Sequence, residues 1–185
     1  VPNMTVIRPA DANETLESWR IALTNTAGPT VLIFSRQNLP VLDRSVCAPA
    51  SGTNQGGYIL WESSPDPEII FIASGSEVPL ALTAAQKLSH EGVKVRVVSL
   101  PSWEIFDRQP SDYRDKVLPP QIPARIAVEA GISLGWEHYA GLDGKIIAME
   151  SFGASAPAPV LFEKFGFTVE NIMAKAKELL ENQKK

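Results

Sequence analysis

The stretch I-I-F-I-A-S-G-S-E, residues 69–77, decides the fold of the larger part of this chain. Its first five residues are all apolar, which is typical of a strand that other elements cover on both faces. We predict that Ser76 caps a helix directly after it. The buried face of that helix is predicted to carry Leu80, Ala81, Ala84, Ala85 and Leu88. A buried strand that leads at once into an amphipathic helix indicates an α/β domain with a parallel sheet.

The same alternation continues to the C-terminus. Further strands are predicted at residues 58–61, 93–100, 125–129 and 145–149, and Thr168 is predicted to cap a last helix with a continuous apolar stripe. Residues 58–185 are therefore predicted to form a mostly parallel five-stranded sheet with helices on both faces. A domain of that length can bury a substantial core.

A second, incomplete α/β domain precedes this one. Residues 4–8 and 30–34 are predicted strands, and between them Asp11 and Glu14 form a capping-box-like pair at the start of a helix. We expect one face of that helix to be buried, because Leu16, Trp19 and Leu23 follow helical spacing. A single βαβ unit cannot cover both faces of its own strands, so its neighbours are expected to come from sequence that this chain lacks.

Two further features concern the organisation of the chain. Residues 37–57 contain Pro40, Pro49, Gly52, Gly56 and Gly57 with Ser and Asn between them, which is typical of a linker between domains, and we place this linker at 41–57. The chain begins at Val1 rather than Met and enters a strand within a few residues. Since native domains usually begin with some slack, we expect the chain to be a piece of a longer polypeptide.

Composition limits the classes of function. A net charge of −4 with no Lys/Arg cluster argues against a general nucleic-acid binder. No apolar run approaches the roughly 20 residues that span a bilayer, and nothing resembles a signal peptide, so neither a membrane partner nor export is expected. The single cysteine, Cys47, is too isolated to form a metal site with His90 and His138. We expect a cytoplasmic protein with no metal of its own.

Arg36 is the main candidate for a ligand contact. It is the first charged residue after the strand at 30–34, and ligands of open parallel sheets bind beyond the carboxyl ends of strands. The planar guanidinium can donate two hydrogen bonds at once to a phosphate or a carboxylate. The residues alone leave open a second role, in which Arg36 pairs with a nearby Asp or Glu and only shapes the loop.

The other polar groups favour structural roles. The turn at residues 74–77 has one glycine where a dinucleotide fingerprint needs three, so a plain helix cap is favoured over a nucleotide site. Glu129 has no second carboxylate, histidine or nucleophile near it in the pattern, which favours an ion pair or an interface role over general acid–base catalysis. Residues 152–159 are predicted to be a tight turn before a helix, with Ser155 as cap. No catalytic motif is found.

Six strings together resemble the C-terminal portion of the transketolase family. They are V-P-N-M-T-V-I-R-P-A-D at 1–11, G-P-T-V-L-I-F-S-R-Q-N-L-P at 28–40, I-F-I-A-S-G-S-E-V at 70–78, V-V-S-L-P-S at 97–102, A-V-E-A-G at 127–131 and F-G-A-S-A-P-A-P-V-L-F-E-K-F-G-F-T at 152–168. The resemblance covers essentially the whole chain. It implies that residues 1–40 are the tail of a pyrimidine-binding domain, 41–57 a linker and 58–185 a transketolase C-terminal domain.

The resemblance also implies a function. Transketolases use thiamine diphosphate and a divalent cation (Mg or Ca) to transfer a two-carbon ketol unit from a ketose phosphate to an aldose phosphate, in the pentose phosphate pathway. It implies that Arg36 binds the substrate phosphate and that Ser35 helps to shape the pocket. The family's catalytic, cofactor-binding and metal-binding residues would all lie upstream of Val1. The fragment alone is therefore expected to be inactive and free of cofactor, while contributing to a homodimer.

Three alternatives stay open. The chain could belong to a sister family with the same domain order, the dehydrogenase E1 β subunit or deoxyxylulose-phosphate synthase. It could also act only as a non-catalytic packing and dimerisation module. A free-standing nucleotide-binding domain is the last alternative.

Overall fold

The N-terminal unit is a small βαβ motif. The computed structural model of the chain describes residues 2–183. Strand β1 (Thr5–Ile7), helix α1 (Ala12–Thr24) and strand β2 (Thr30–Leu32) follow one another, and the two strands pair in parallel. The predicted βαβ unit is confirmed, although each strand is shorter than predicted.

The larger unit is a mixed sheet of five strands in the order β3-β5-β4-β6-β7, in which only β3 runs antiparallel. This confirms the predicted mostly parallel sheet. A turn of 3₁₀-helix, Ala50–Gln55, precedes it. Its elements are β3 (Tyr58–Glu62), β4 (Ile69–Ala73), α2 (Val78–His90), β5 (Val95–Ser99), α3 (Trp103–Asp107), α4 (Ser111–Val117), β6 (Arg125–Val128), α5 (Glu137–Ala140), β7 (Lys145–Ile147), α6 (Ala158–Phe165) and α7 (Val169–Asn182).

The core lies on both faces of this sheet, as predicted. All five residues of the central strand β4 are buried, and they alternate between the two faces. Phe71 packs on the side of α2 and α7, together with Leu88 and Ile172. Ile70 and Ile72 pack on the side of α3 to α5, together with aromatic residues such as Phe106. The apolar stretch at 69–73 is therefore the centre of the domain.

The prediction for helix α1 was wrong. Leu16, Trp19 and Leu23 are 55%, 49% and 78% exposed, whereas Glu14 and Ser18 are fully buried. The cause is the position of the helix, which turns its polar face toward the five-stranded sheet and its apolar face away from it. Helical spacing identifies an apolar face, but it cannot tell which neighbour that face contacts.

Two predicted helix caps are also wrong. Residues Gly75–Glu77 form a turn of 3₁₀-helix, α2 begins only at Val78, and the Ser76 hydroxyl donates to the Glu77 carboxylate instead. Helix α6 begins at Ala158, with Pro157 and not Ser155 at its N-cap position. Both helices carry proline in the first turn, where the missing N–H needs no cap. Across residues 2–183, no helix combines the length and the apolar character that a membrane span needs.

Candidate functional site

Arg36 lies in the loop after β2, at the mouth of a cavity of about 380 Å³. The opposite wall is the start of α6, and the lining residues besides Arg36 are Gln37, Ala156, Pro157, Ala158, Leu161 and Phe162. The Arg36 side chain is exposed, and within residues 2–183 its guanidinium forms no ion pair with a carboxylate. No Asp or Glu lines this cavity, so no acidic side chain competes there for the five N–H donors of the guanidinium.

Ser35 lies beside Arg36 in sequence but does not line the same cavity. Its hydroxyl donates a 2.9 Å hydrogen bond to the carbonyl oxygen of Gln37, which closes the turn that carries Arg36. Ser35 instead lines two adjoining cavities near Pro9 and Gln37. The position of Ser35 fits a residue that shapes the loop.

A second cluster joins the two units of the chain, and we call it the Arg8 cluster: Arg8, Ser74, Ser76, Glu77 and Glu129. Arg8 Nη1 lies 2.5 Å from Oε2 of Glu77 and 2.8 Å from Oε1 of Glu129. It also donates to the carbonyl oxygen of Ser74 at 3.0 Å. The Ser74 hydroxyl donates to Glu129 at 2.7 Å.

The Arg8 cluster was only partly foreseen. The ion-pair role favoured for Glu129 agrees with the structure, but the statement that no second carboxylate lies near it was wrong. Strands β4 and β6 are neighbours in the sheet, so the residues that follow them, Glu77 and Glu129, meet although 52 positions separate them in the chain. Arg8 follows β1 as Arg36 follows β2, and the same strand-end argument could have identified it.

The Arg8 cluster occupies the edge where open α/β sheets usually bind ligands, the carboxyl ends of β4 and β6. Gly75 is essential to this contact. Its φ of +54° suits glycine, and a Cβ added there would lie 2.7 Å from Arg8 Cζ. The turn that the sequence offered as a possible anion site thus holds a guanidinium of the same chain.

A second set of contacts fixes the start of α1, and we call it the Glu14 network: Asp11, Glu14, Arg44, Tyr58 and Ser99. The carboxylate of Glu14 accepts hydrogen bonds from the hydroxyls of Tyr58 and Ser99, each at 2.7 Å. It also accepts from the Ala10 N–H at 2.8 Å. Burial raises the pKa of Glu14 above its ordinary value, even though these three donors act in the opposite direction.

Asp11 supplies the other half of the Glu14 network. Its side chain accepts from the Glu14 N–H at 2.8 Å, which confirms it as the N-cap of α1. It also accepts from Leu42 N–H and from Arg44, each at 3.0 Å. The capping box is modified, because Glu14 bonds the N–H of Ala10 rather than that of Asp11. The network thereby ties α1 both to the segment at 42–44 and to the sheet.

Comparison with known proteins decides the family. A family model described as Transketolase-like TK C-terminal domain matches residues 56–168, and another, Transketolase, pyrimidine binding domain, matches residues 1–41. Transketolase 2 of Vibrio parahaemolyticus is 54% identical over 179 residues, which is 97% of this chain and 27% of that protein. The chain belongs to the transketolase family. It spans about a quarter of the length of the relatives that it matches.

Solved transketolase structures agree with the fold. Transketolase from Leishmania mexicana superposes with a TM-score of 0.89 at 45% identity, over 98% of this chain and 26% of that one. A Pichia stipitis transketolase in complex with sedoheptulose 7-phosphate superposes with a TM-score of 0.89 at 37% identity, over 99% of this chain and 26% of that one. The resemblance to transketolase stated from the sequence is confirmed.

Two further titratable residues of this transketolase chain, His138 and Cys47, are in contact with the packed part of the domain. The His138 ring packs edge-on against Tyr139 at 4.7 Å, in keeping with the packing role favoured for it. Cys47 is buried and unpaired, and burial raises the pKa of its thiol. From residue 2 to residue 183, no three His, Cys, Asp or Glu side chains come together in a way that could hold a metal ion.

Glu129 is expected to make stability depend on pH. Burial raises its pKa to about 7, with Glu77 adding to the rise and Arg8 opposing it. This folded-state pKa exceeds the ordinary value of 4.5. The contribution of Glu129 to the free energy of unfolding is therefore fully present below pH 4.5 and is lost as the pH rises through 7. The stability advantage of the chain over Glu129→Gln should therefore fall by about 1–3 kcal/mol between pH 4.5 and pH 8. Urea unfolding of both proteins across that range measures it, and a constant difference would contradict the assignment.

Proposed function

We propose that this chain is the C-terminal part of a transketolase that transfers a two-carbon ketol unit from a ketose phosphate to an aldose phosphate, and that Arg36 binds the substrate phosphate. The observation that carries the proposal is the position of the guanidinium. It lies beyond the carboxyl end of a parallel strand, at the mouth of a cavity of about 380 Å³, with no carboxylate among the cavity's lining residues.

The chemistry of Arg36 suits a phosphate monoester. A planar fork of N–H donors can bind two phosphate oxygens in parallel, and such charge-assisted bonds are about twice as strong as neutral ones. Sugar phosphates as substrates are supported by the relative from Pichia stipitis, which was solved with sedoheptulose 7-phosphate. The role proposed for Ser35 is to hold the loop through its bond to Gln37.

The cofactor is assigned to the remainder of the full-length protein. Membership of the family and the match to the pyrimidine-binding domain imply thiamine diphosphate in the full-length enzyme. The residues described here do not fit a site for the divalent cation, because no group of His, Cys, Asp or Glu among them could hold one. We therefore propose that residues 1–185 alone are inactive. A cytoplasmic location remains a prediction.

In the full-length enzyme, Arg36→Ala should raise the KM for a ketose phosphate donor by about tenfold to 150-fold, because a hydrogen bond to a charged group contributes about 1.5–3 kcal/mol. The KM for hydroxypyruvate, a donor without phosphate, should stay within about twofold. Steady-state kinetics measures both KM values with the same acceptor, glycolaldehyde. Because this acceptor carries no phosphate, the two measurements differ only in the donor. Equal losses with both donors would refute the phosphate role.

Dimerisation and packing form a second candidate function. The observation that favours it is the apolar surface of the βαβ unit, where Leu16, Trp19, Leu23, Val31, Ile33 and Phe34 are all more than a third exposed. In the full-length protein we expect the rest of the pyrimidine-binding domain to pack on this unit, and in the isolated chain the same surface is open to a second copy. Monomeric proteins rarely leave large contiguous apolar patches open. Size-exclusion chromatography with light scattering on the 185-residue chain is expected to show a dimer. A clean monomer at micromolar concentration would count against self-association through this face.

A further inference from the structure

We propose that Arg8 is a positioning residue for the phosphate site. In this inference, which rests on the proposed function, Glu77 and Glu129 hold Arg8 on the five-stranded sheet and thereby set where Arg36 lies relative to helix α6. Arg8 itself does not touch the substrate. It acts through β1, β2 and the loop that follows β2.

Arg8 is fixed at its backbone as well as at its side chain. Its N–H donates to the carbonyl oxygen of Pro101 at 2.8 Å, and its own carbonyl oxygen accepts from the Gly75 N–H at 3.1 Å. The guanidinium adds the contacts to Ser74, Glu77 and Glu129. Both backbone polar groups of Arg8 and both of its Nη atoms are therefore bound to the sheet domain, which leaves the end of β1 little freedom.

The position of β1 is passed directly to β2. The two strands pair in parallel with Ile7 opposite Leu32, and the Ile33 N–H donates to the Ile7 carbonyl oxygen at 2.9 Å. Arg36 follows only three residues after Ile33. A displacement of the strand end at Arg8 would therefore move the start of the loop that carries Arg36.

The same region is continuous in space. A cavity of about 190 Å³ is lined by Arg8 and Ser76 on one side and by Ser35 and Gln37 on the other. Phe162 of helix α6 lines this cavity and the Arg36 cavity as well. The Arg8 cluster and the phosphate site thus share a wall, so packing can carry a small displacement from one to the other.

Glu129→Gln is the variant that loosens the cluster with the least disturbance. The amide keeps the volume of the side chain and an oxygen that can accept from Ser74. It removes one of the two negative charges that are paired with the Arg8 guanidinium. Glu77, which is fully buried, retains its contact with Arg8. We therefore expect a folded enzyme in which the guanidinium is less firmly placed.

The test measures KM in the full-length enzyme at pH 8 for a ketose phosphate and for hydroxypyruvate, with glycolaldehyde as the acceptor. Glu129→Gln should raise the KM for the ketose phosphate about three- to tenfold and leave both kcat and KM for hydroxypyruvate unchanged. In the Arg36→Ala background the same change should add less than about twofold, since a residue that acts through Arg36 has nothing left to position.

Two further variants keep the test decisive. Glu62→Gln makes the same chemical change beside Arg96, a buried arginine at the amino-terminal end of β5. There, Glu62 Oε2 lies 2.7 Å from Arg96. Any effect of this control on KM should be the same for the ketose phosphate and for hydroxypyruvate. Gly75→Ala displaces the Arg8 guanidinium without changing any charge, and it should reproduce the selective rise in KM for the ketose phosphate.

The outcomes separate the two proposals. If Arg36→Ala discriminates between the donors but Glu129→Gln and Gly75→Ala do not, the positioning role is refuted while the phosphate role stands. Equal effects on both donors would show a merely structural cluster, and full additivity with Arg36→Ala would show that Glu129 acts independently. If Arg36→Ala itself fails to discriminate between the donors, the phosphate role proposed for Arg36 is refuted, and the positioning role that rests on it is refuted as well.

Discussion

Glu14→Ala is expected to lower the free energy of unfolding of the chain by about 3–5 kcal/mol, because it leaves buried donors without an acceptor. The Glu14 side chain is fully buried, and three donors converge on it: the Ala10 N–H and the hydroxyls of Tyr58 and Ser99. A buried donor that loses its partner costs about 1–3 kcal/mol. Since Tyr58 and Ser99 belong to the sheet domain, the loss also weakens the attachment of helix α1.

Urea unfolding followed by tryptophan fluorescence measures this effect. Glu14→Gln is the matched variant, because it keeps an acceptor oxygen and the volume of the side chain, and it should recover more than half of the loss. Glu170→Ala, at a carboxylate whose side chain is 78% exposed, should change stability by less than about 1 kcal/mol. A Glu14→Ala protein within 1 kcal/mol of the parent would contradict the role assigned to the Glu14 network.

Arg8→Met should have an effect of similar size, about 3–5 kcal/mol, because it leaves the fully buried Glu77 and the nearly buried Glu129 without their counter-charge. Methionine fills a comparable volume, so the loss reports the charge more than the packing. The destabilisation should be smallest in acid, where Glu129 is protonated, and it should grow as the pH rises through about 7, the raised pKa of Glu129.

A second-site test separates charge from packing at Arg8. Adding Glu77→Gln and Glu129→Gln to Arg8→Met removes the stranded charges, and the triple variant should regain at least half of the lost stability. Arg20→Met, at an exposed arginine on α1, is the matched control and should cost less than about 1 kcal/mol. If the triple variant is less stable than Arg8→Met alone, the electrostatic explanation is wrong.

The fold was predictable wherever the pattern of residues is local. An unbroken apolar strand at 69–73, followed by a helix with its small residues on one face, identifies a buried parallel strand without further information. The face of α1 could not be predicted in the same way. Trp19 and Leu23 follow helical spacing but lie on the exposed side, while the buried Glu14 is held by hydroxyls that are 44 and 85 residues away.

The candidate site shows the same division. The rule that ligands bind beyond the carboxyl ends of parallel strands makes Arg36 a candidate from the sequence, and its role stays a prediction. The Arg8 cluster depends on the order of strands in the sheet, which the sequence does not reveal, because Glu77 and Glu129 become neighbours only through the pairing of β4 with β6. The raised pKa of Glu129 follows from that burial and could not be predicted from its sequence neighbours.

The arginine seated on Gly75 has a consequence for how this protein can be divided. A piece cut at residue 56, where the match to the C-terminal family model begins, would keep the entire five-stranded sheet. It would lose Arg8, which binds Glu77 and Glu129 beyond the carboxyl ends of β4 and β6. Glu77 and Glu129 would then lose the arginine that neutralises them, and their carboxylates would be open to water and to cations. The part of the chain that matches the C-terminal family model is in this sense not self-sufficient, because the counter-charge for two of its carboxylates comes from Arg8 in the segment before it.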